Sequence, residues 1–364
     1  MTGLTRRQFQ QEMEQGFASL SPGCHIQFDR LARERVLDAL RAVANQSWRR
    51  LTGELAAFAQ GRPRNAIRLT DFLTEQCLES TDLYSSTRSS SGWTALKRAA
   101  GLEAREAGPD EPYLGKRLSA LLDVNDGERV ALLRRIAMRD PLLWGSIDLR
   151  TLRQLQMLAY QLYGQRSDLM DGDGFQARLD ASPLMREELG ELADWIDLRA
   201  DLELEPLPGV PQDWPLLLHG TYSRTEILSA TGFWSPQARP PMFEGLLNFK
   251  ALKLQLLFVT LDKKEGFHER IAYHDYAISP ERFHWQSQNN AGPDTASGRI
   301  YTQSATNGWR FQLFVRETPD HPFVALGLVT LDGEPTGAKP MSMVWKLERP
   351  VPIAMFRRFS VLRG

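Results

Sequence analysis

The chain has 364 residues, of which 42% are hydrophobic and 24% charged, and its net charge is −1; it is long enough for two domains with a substantial core. Two cysteines, Cys24 and Cys77, far apart in the chain, exclude a disulfide framework and a cysteine-rich zinc module, and they fit a reducing cytoplasm. No apolar run approaches the roughly 20 residues that span a bilayer, and the opening MTGLTRRQFQQEMEQ carries no apolar signal region, so no membrane partner is expected.

Residues 1–203 read as an irregular all-α domain. In FDRLARERVLDALRAV, Leu31, Val36, Leu37, Leu40 and Val43 fall on one stripe, and Asp29 stands ready to cap it. The pattern recurs in YLGKRLSALLDV, GERVALLRRIAM, LRTLRQLQMLAYQLY and REELGELADWIDLRADLEL, without the fixed period of a solenoid. The serine-rich STDLYSSTRSSSGW (80–93) is expected to be a long surface connection.

LELEPLPGVPQDWP (202–215), with four prolines, marks the boundary, and residues 204–214 are expected to form a linker. From residue 215 to 364 the period shifts towards two. Phe311, Leu313 and Val315 alternate with Arg310, Gln312 and Arg316; Met341, Met343, Trp345 and Leu347 alternate with Ser342, Lys346 and Glu348. QLLFVTL and PFVALGLVTL, apolar on both faces, read as central strands. SRTEILSATGF is the one clear helix here, with a Ser223–Glu226 capping box and Gly232 as its stop. The fold class is therefore multidomain, α followed by α+β, the second domain a curved, mainly antiparallel sheet with one or two helices. From Trp214 onward there are 17 Lys+Arg against 13 Asp+Glu, a mild basic excess compatible with phosphate binding.

Several activities are excluded. There is no G-x-x-x-x-G-K-[ST]; the nearest stretch, GPDEPYLGKR, has the wrong spacing. G-x-S-x-G, H-E-x-x-H and G-x-G-x-x-G are also absent. One catalytic arrangement is conceivable: Glu244, Asp262 and Lys264 as the two acids and lysine of a metal-dependent nuclease. His274, Asp275 and His284 match no standard metal spacing. No cofactor is expected.

The richest chemistry lies in YHDYAISPERFHWQSQNNAGPDTASGRIY, residues 273–301. Rings stack on the faces of a nucleobase, and carboxylates and amides read its edge. Tyr273, Tyr276, Phe283 and Trp285 supply rings. Asp275, able to accept from the exocyclic amine of cytosine, and the amides Gln286, Gln288, Asn289 and Asn290 supply the reading groups. NNAGPDTASG looks like a turn-rich loop. Lys263, Lys264, Arg299, Arg316 and Lys346 are candidates for phosphate contacts. The same rings are equally the material of a sheet core.

PLLLHGTYSRTEILSATGF, LFVTLDKKEGFHERIAYHDYAISPERFHWQSQN, SGRIY, FQLFVRE, FVALGLV and PMSMVWKLERPVP follow in order the blocks of a known family. Across most of residues 214–356 the chain resembles domain of unknown function 3427, the C-terminal part of bacterial superfamily 2 helicases, many with a phospholipase-D-type nuclease domain. SPGCHIQFDRLARERVL and LTDFLTEQCLESTDLY resemble the helical connector that follows the helicase motor. The resemblance implies an SRA-like (PUA-like) fold that reads 5-methylcytosine in double-stranded DNA, within a type IV restriction or phage-defence system. Family members often carry asparagine where this chain has Asp262, which weakens the nuclease reading. The motor and nuclease blocks are absent from this sequence, so it is expected to be a fragment or one product of a split gene. Motor and nuclease would then act in cis or in trans, and the chain would bind rather than cut. The expected function is base-flipping recognition of a modified cytosine; the alternative is a non-catalytic coupling module.

Overall fold

A computed structural model describes residues 48–139, 147–164, 172–199, 204–242, 245–261, 275–288 and 291–360. The stripe from Leu31 to Val43 lies outside them. Nine α-helices precede the sheet among the described residues. They are α1 (Trp48–Phe58), α2 (Leu69–Glu75), α3 (Ser80–Leu83), α4 (Trp93–Ala99), α5 (Glu111–Arg117), α6 (Gly127–Ala137), α7 (Leu149–Tyr163), α8 (Gly172–Asp180) and α9 (Pro183–Asp197). Asp126 Oδ1 accepts from Arg129 N at 2.8 Å at the start of α6, and Asp148 Oδ1 accepts from Thr151 N at 2.9 Å at the start of α7. Each satisfies an amide that the first helical turn leaves unpaired. α9 buries Leu189, Leu192, Ala193 and Ile196 along one stripe and packs on α6. From α9 the buried Glu188 accepts from Trp93 N (2.7 Å) and Thr94 N (2.9 Å), which anchors the start of α4.

Residues 80–93 are more than a surface connection. α3 occupies their first turn, Leu83 and Tyr84 are buried, and Ser91 Oγ donates to Gly115 O at 3.0 Å. Serine hydroxyls satisfied by backbone carbonyls let a serine-rich stretch turn inward.

The second half holds β1 (Thr221–Tyr222), α10 (Arg224–Ala230), β2 (Leu246–Phe249), β3 (Leu254–Thr260), β4 (Tyr276–Ser279) and β5 (Arg282–Gln286). These are followed by α11 (Ala296–Thr302), α12 (Ser304–Asn307), β6 (Arg310–Arg316), β7 (Phe323–Leu331), β8 (Ser342–Leu347) and α13 (Ile353–Phe359). The strands form one open sheet in the order β2-β3-β6-β7-β8-β5-β4, with β1 paired to the first residues of β7. β3 and β6 run parallel; the other pairs are antiparallel. β3 and β7 lie inside the sheet and are buried on both faces over most of their length, as their unbroken apolar runs require. The capping box is present: Ser223 Oγ accepts from Glu226 N at 3.2 Å, and Glu226 Oε2 accepts from Ser223 N at 2.7 Å. Gly232 follows at φ +70°. Four helices, not one or two, accompany the sheet among the described residues. The loop expected over 289–298 gives way to α11 at Ala296, whose cap Thr295 Oγ1 accepts from Gly298 N at 3.0 Å. Helices of four to seven residues are too short to print a periodic stripe on the sequence.

The sheet has two unlike faces. One carries Phe311, Leu313 and Val315 of β6 and Met343, Trp345 and Leu347 of β8, buried with Tyr301 of α11 and Phe359 of α13. On the other face, Leu254, Leu256 and Phe258 of β3, Phe314 of β6 and Phe323 and Ala325 of β7 share one core with Leu155, Leu158 and Tyr160 of α7. The helical region thus covers the β3, β6 and β7 part of this second face.

The seam between the halves is built in detail. Arg129 of α6 is buried between Asp126 and Glu226; its Nη1 lies 2.6 Å from Glu226 Oε1, its Nη2 donates to Thr221 O at 2.8 Å, and its guanidinium lies 4.4 Å above the Tyr222 ring. Arg150 of α7 donates to Trp214 O at 2.7 Å, and Arg153 lies 2.6 Å from Asp213. Residues 204–214 lie on the sheet: Leu207 and Trp214 are buried, and Gln312 Nε2 donates to Pro208 O at 2.5 Å. Gly209, at φ +74°, approaches Leu328 so closely that a Cβ there would stand 2.6 Å from a leucine methyl.

Candidate functional site

Among the described residues, the core shared with the helical region does not extend over the part of the second face formed by β8, β5 and β4. Along β5, Phe283 and Trp285 point to the covered face, so Arg282, His284 and Gln286 point to the open one. On β8 the same alternation sets Ser342, Val344 and Lys346 on the open face, opposite Gln286, His284 and Arg282 in the register. β4 adds Tyr276, paired with His284, and Ile278, which is exposed.

Several contacts order this patch. The rings of Tyr276 and His284 are stacked, with centroids 5.1 Å apart and planes 20° apart. Cross-strand aromatic pairs of this kind hold adjacent strands in register. His284 Nε2 and Ser342 Oγ are hydrogen-bonded at 2.6 Å. Asp275 Oδ1 accepts from Gln286 N at 2.9 Å, tying the entry of β4 to the end of β5. Arg282 Nε donates to Asp332 Oδ2 at 2.7 Å, and Lys346 is exposed beside it on β8. A flat stacked pair, an amide and two cations therefore share one sheet surface. Such a surface can receive a planar ring and hold an anionic group beside it.

The residues singled out in the sequence are only partly brought together. Tyr276 and Gln286 are half-buried on the open face, with Asp275 at its rim and Lys346 within it. Gln288 is half-buried just past β5, and its carbonyl accepts from Ala291 N at 2.9 Å. Phe283 and Trp285 are 1% and 5% exposed and belong to the core beneath, where Trp285 meets Tyr301 at 5.4 Å. Both rings are thus packed into the protein interior and are not offered to a ligand. Arg299 sits on α11 on the covered side, donating to Asp294 O at 2.9 Å. Arg316 ends β6 at the far rim. Tyr273, Lys263, Lys264, Glu244, Asp262, His274, Asn289 and Asn290 lie outside the described residues. Among the described residues no cluster of three His, Cys, Asp or Glu could hold a metal ion. None of their helices is long and apolar enough to cross a membrane.

His284 and Ser342 also stand on this open face, although ring-and-amide composition does not single them out. The signal was available, since period-two alternation places both on the face of Gln286.

No curated relative matches the chain. Residues 216–359, which hold every described strand of the sheet and the helix α13 that closes it, match the model of the family described as Domain of unknown function (DUF3427).

Proposed function

We propose that the sheet region is a DNA-binding target-recognition module, reading a cytosine that carries a modification, within a helicase-linked type IV restriction or phage-defence assembly. The observation that carries the reading is the stacked Tyr276–His284 pair, set with Gln286 and Lys346 on a sheet face that no described helix covers. A base extruded from the duplex loses stacking worth a few kcal/mol. Rings on the open face offer replacement stacking, Asp275 and Gln286 offer edge hydrogen bonds, and Lys346 offers a phosphate contact. In this reading Phe283 and Trp285 support the platform from beneath instead of forming it.

The test is a fluorescence-anisotropy titration with matched duplexes carrying cytosine, 5-methylcytosine or 5-hydroxymethylcytosine. A modified duplex is expected to bind more tightly, and Tyr276→Ala to weaken binding by about 1–3 kcal/mol. Equal, strongly salt-dependent binding to all three duplexes would leave phosphate contact alone and end the base-reading proposal.

A second reading, a coupling module without base recognition, has its own support. The helical region and the sheet share one buried core, cross-linked through the Arg129 cluster. A displacement of the sheet would be transmitted to the helices as a rigid-body movement. DNA binding that is absent, alongside retained association with a helicase motor, would favour this reading.

A further inference from the structure

Arg224 and Arg316 lie against the same aromatic ring, that of Phe323. Arg316 donates through Nε to Thr260 Oγ1 (2.9 Å) and through Nη1 to Pro319 O (2.7 Å), and its guanidinium carbon stands 4.4 Å from the centre of the Phe323 ring. Arg224 places its guanidinium carbon 5.9 Å from the same ring and 5.8 Å from that of Phe258. Sharing one ring sets the two cations within about 10 Å of each other. Both are half-buried. Among the described residues neither has an ion-pair partner; the carboxylate that acts on Arg316, Asp320, is on an exposed residue.

Several other buried or half-buried arginines are neutralised by carboxylates, while Arg117 is held by the Gln161 carbonyl. Arg129 has Asp126 and Glu226, Arg150 has Glu128, and Arg98 has Glu111. Burial pushes the Arg224 and Arg316 guanidiniums below the ordinary arginine value, and Arg224 adds to the lowering of Arg316. Two partly desolvated like charges held by aromatic rings are costly unless an anion completes them. The Arg224 fork and Nη2 of Arg316 have no hydrogen-bond acceptor among the described residues.

We propose that Arg224 and Arg316 form a phosphate-binding site on the rim where β3 and β6 end and β7 begins. A single carboxylate would answer one of the two charges. A phosphate monoester, or two successive phosphodiesters of a nucleic-acid backbone, answers both and suits planar guanidinium donors. The site does not rest on the base-stacking reading: Phe323 stands seven positions along β7 from Thr330, the partner of Lys346, roughly 23 Å at strand rise.

Thermal unfolding of the full chain in inorganic phosphate, against chloride at equal ionic strength, tests the site. Phosphate is expected to raise the melting temperature of the wild type beyond chloride, as a ligand of the folded state does. Arg224→Met, which keeps an apolar stem against Phe258 and Phe323, should lose that difference. Arg316→Lys, which keeps the charge but not the fork, should reduce it. A parallel anisotropy titration with unmodified duplex separates the sources. A drop of about fivefold or more in Arg224→Met, with a shallower salt slope, assigns the site to a nucleic-acid backbone. Unchanged duplex binding with the phosphate effect lost assigns it to a free phosphate or monoester. If phosphate and chloride act alike on the wild type and duplex binding is the same in Arg224→Met, the site does not exist.

Discussion

His219 concentrates two unusual features in one residue. Its φ is +63°, a region that side-chain-bearing residues seldom occupy, and among the described residues its Nε2 is buried without a hydrogen-bond partner. Its backbone explains the placement: His219 N donates to Ala325 O at 2.8 Å, and His219 O accepts from Asn125 Nδ2 at 3.1 Å, at the seam of helices and sheet. Burial lowers the imidazole pKa below its ordinary value. The unfolded chain therefore binds the extra proton first, and the stability that the neutral ring contributes is present above about pH 6.5 and lost as pH falls towards the depressed folded value. His219→Asn removes the titration while tolerating a left-handed backbone. Urea unfolding of both proteins between pH 8 and pH 5 should show the wild type losing more stability than the variant below about pH 6.5. Parallel curves would mean that the ring does not resist protonation in the fold. Arg129 carries a larger effect. Arg129→Met strands Asp126 and Glu226 in the seam, and a loss of about 3–5 kcal/mol is expected on breaking such a buried pair.

At the scale of one element, β5 shows what alternation decides. By composition RFHWQ offers three candidate recognition residues, Phe283, Trp285 and Gln286, yet the pleat sets Arg282, His284 and Gln286 on one side and Phe283 and Trp285 on the other. Trp285→Ala is expected to cost about 3–5 kcal/mol of stability, as truncation of a large buried ring does. Tyr276→Ala, on the open face, should cost far less stability and act on ligand binding instead. Chemical denaturation of the two variants beside a DNA titration checks the division, and comparable stability losses would place Tyr276 in the core as well. The example also marks how far the sequence could be read. Strands β3, β6, β7 and β8, with the Ser223–Glu226 cap, were legible because apolar period and cap chemistry act within a few residues. The split of β5 follows from the same alternation, although rings and polar groups stand side by side in residues 273–301. Pairing order was not legible: that β5 lies beside β8, some 60 residues on, is settled by long-range packing, which no local period encodes. The short helices α11 and α12 fail for the opposite reason, being too brief to have a period.

Across the whole molecule, the question is whether helices and sheet are two bodies or one. Composition divides them at a proline-rich stretch, but the packing does not stop there. Phe258, Phe314 and Phe323 on the sheet lie in the same core as Leu155, Leu158 and Tyr160 on α7, and residues 204–214 lie against the sheet instead of bridging a gap. Removing the helices would expose three phenylalanines, Leu254 and Leu256, together with the Arg129 partner Glu226, on one side of the sheet. An exposed apolar patch of that kind favours aggregation over a stable monomer. Residues 216–359 produced alone are therefore expected to be insoluble or partly unfolded, although the family match ends at those bounds. The described chain, in contrast, should unfold in one cooperative transition, because breaking either half exposes the core of the other. Urea titration followed by far-UV circular dichroism, dominated by the helices, and by fluorescence of Trp285 and Trp345 in the sheet core tests this, once the other tryptophans have been replaced by phenylalanine. Coincident midpoints are expected, and Arg129→Met should move both together. Midpoints that separate, or a soluble and folded 216–359 fragment, would show that the shared core is an interface between independent bodies, and the rigid transmission that the coupling reading requires would be lost with it.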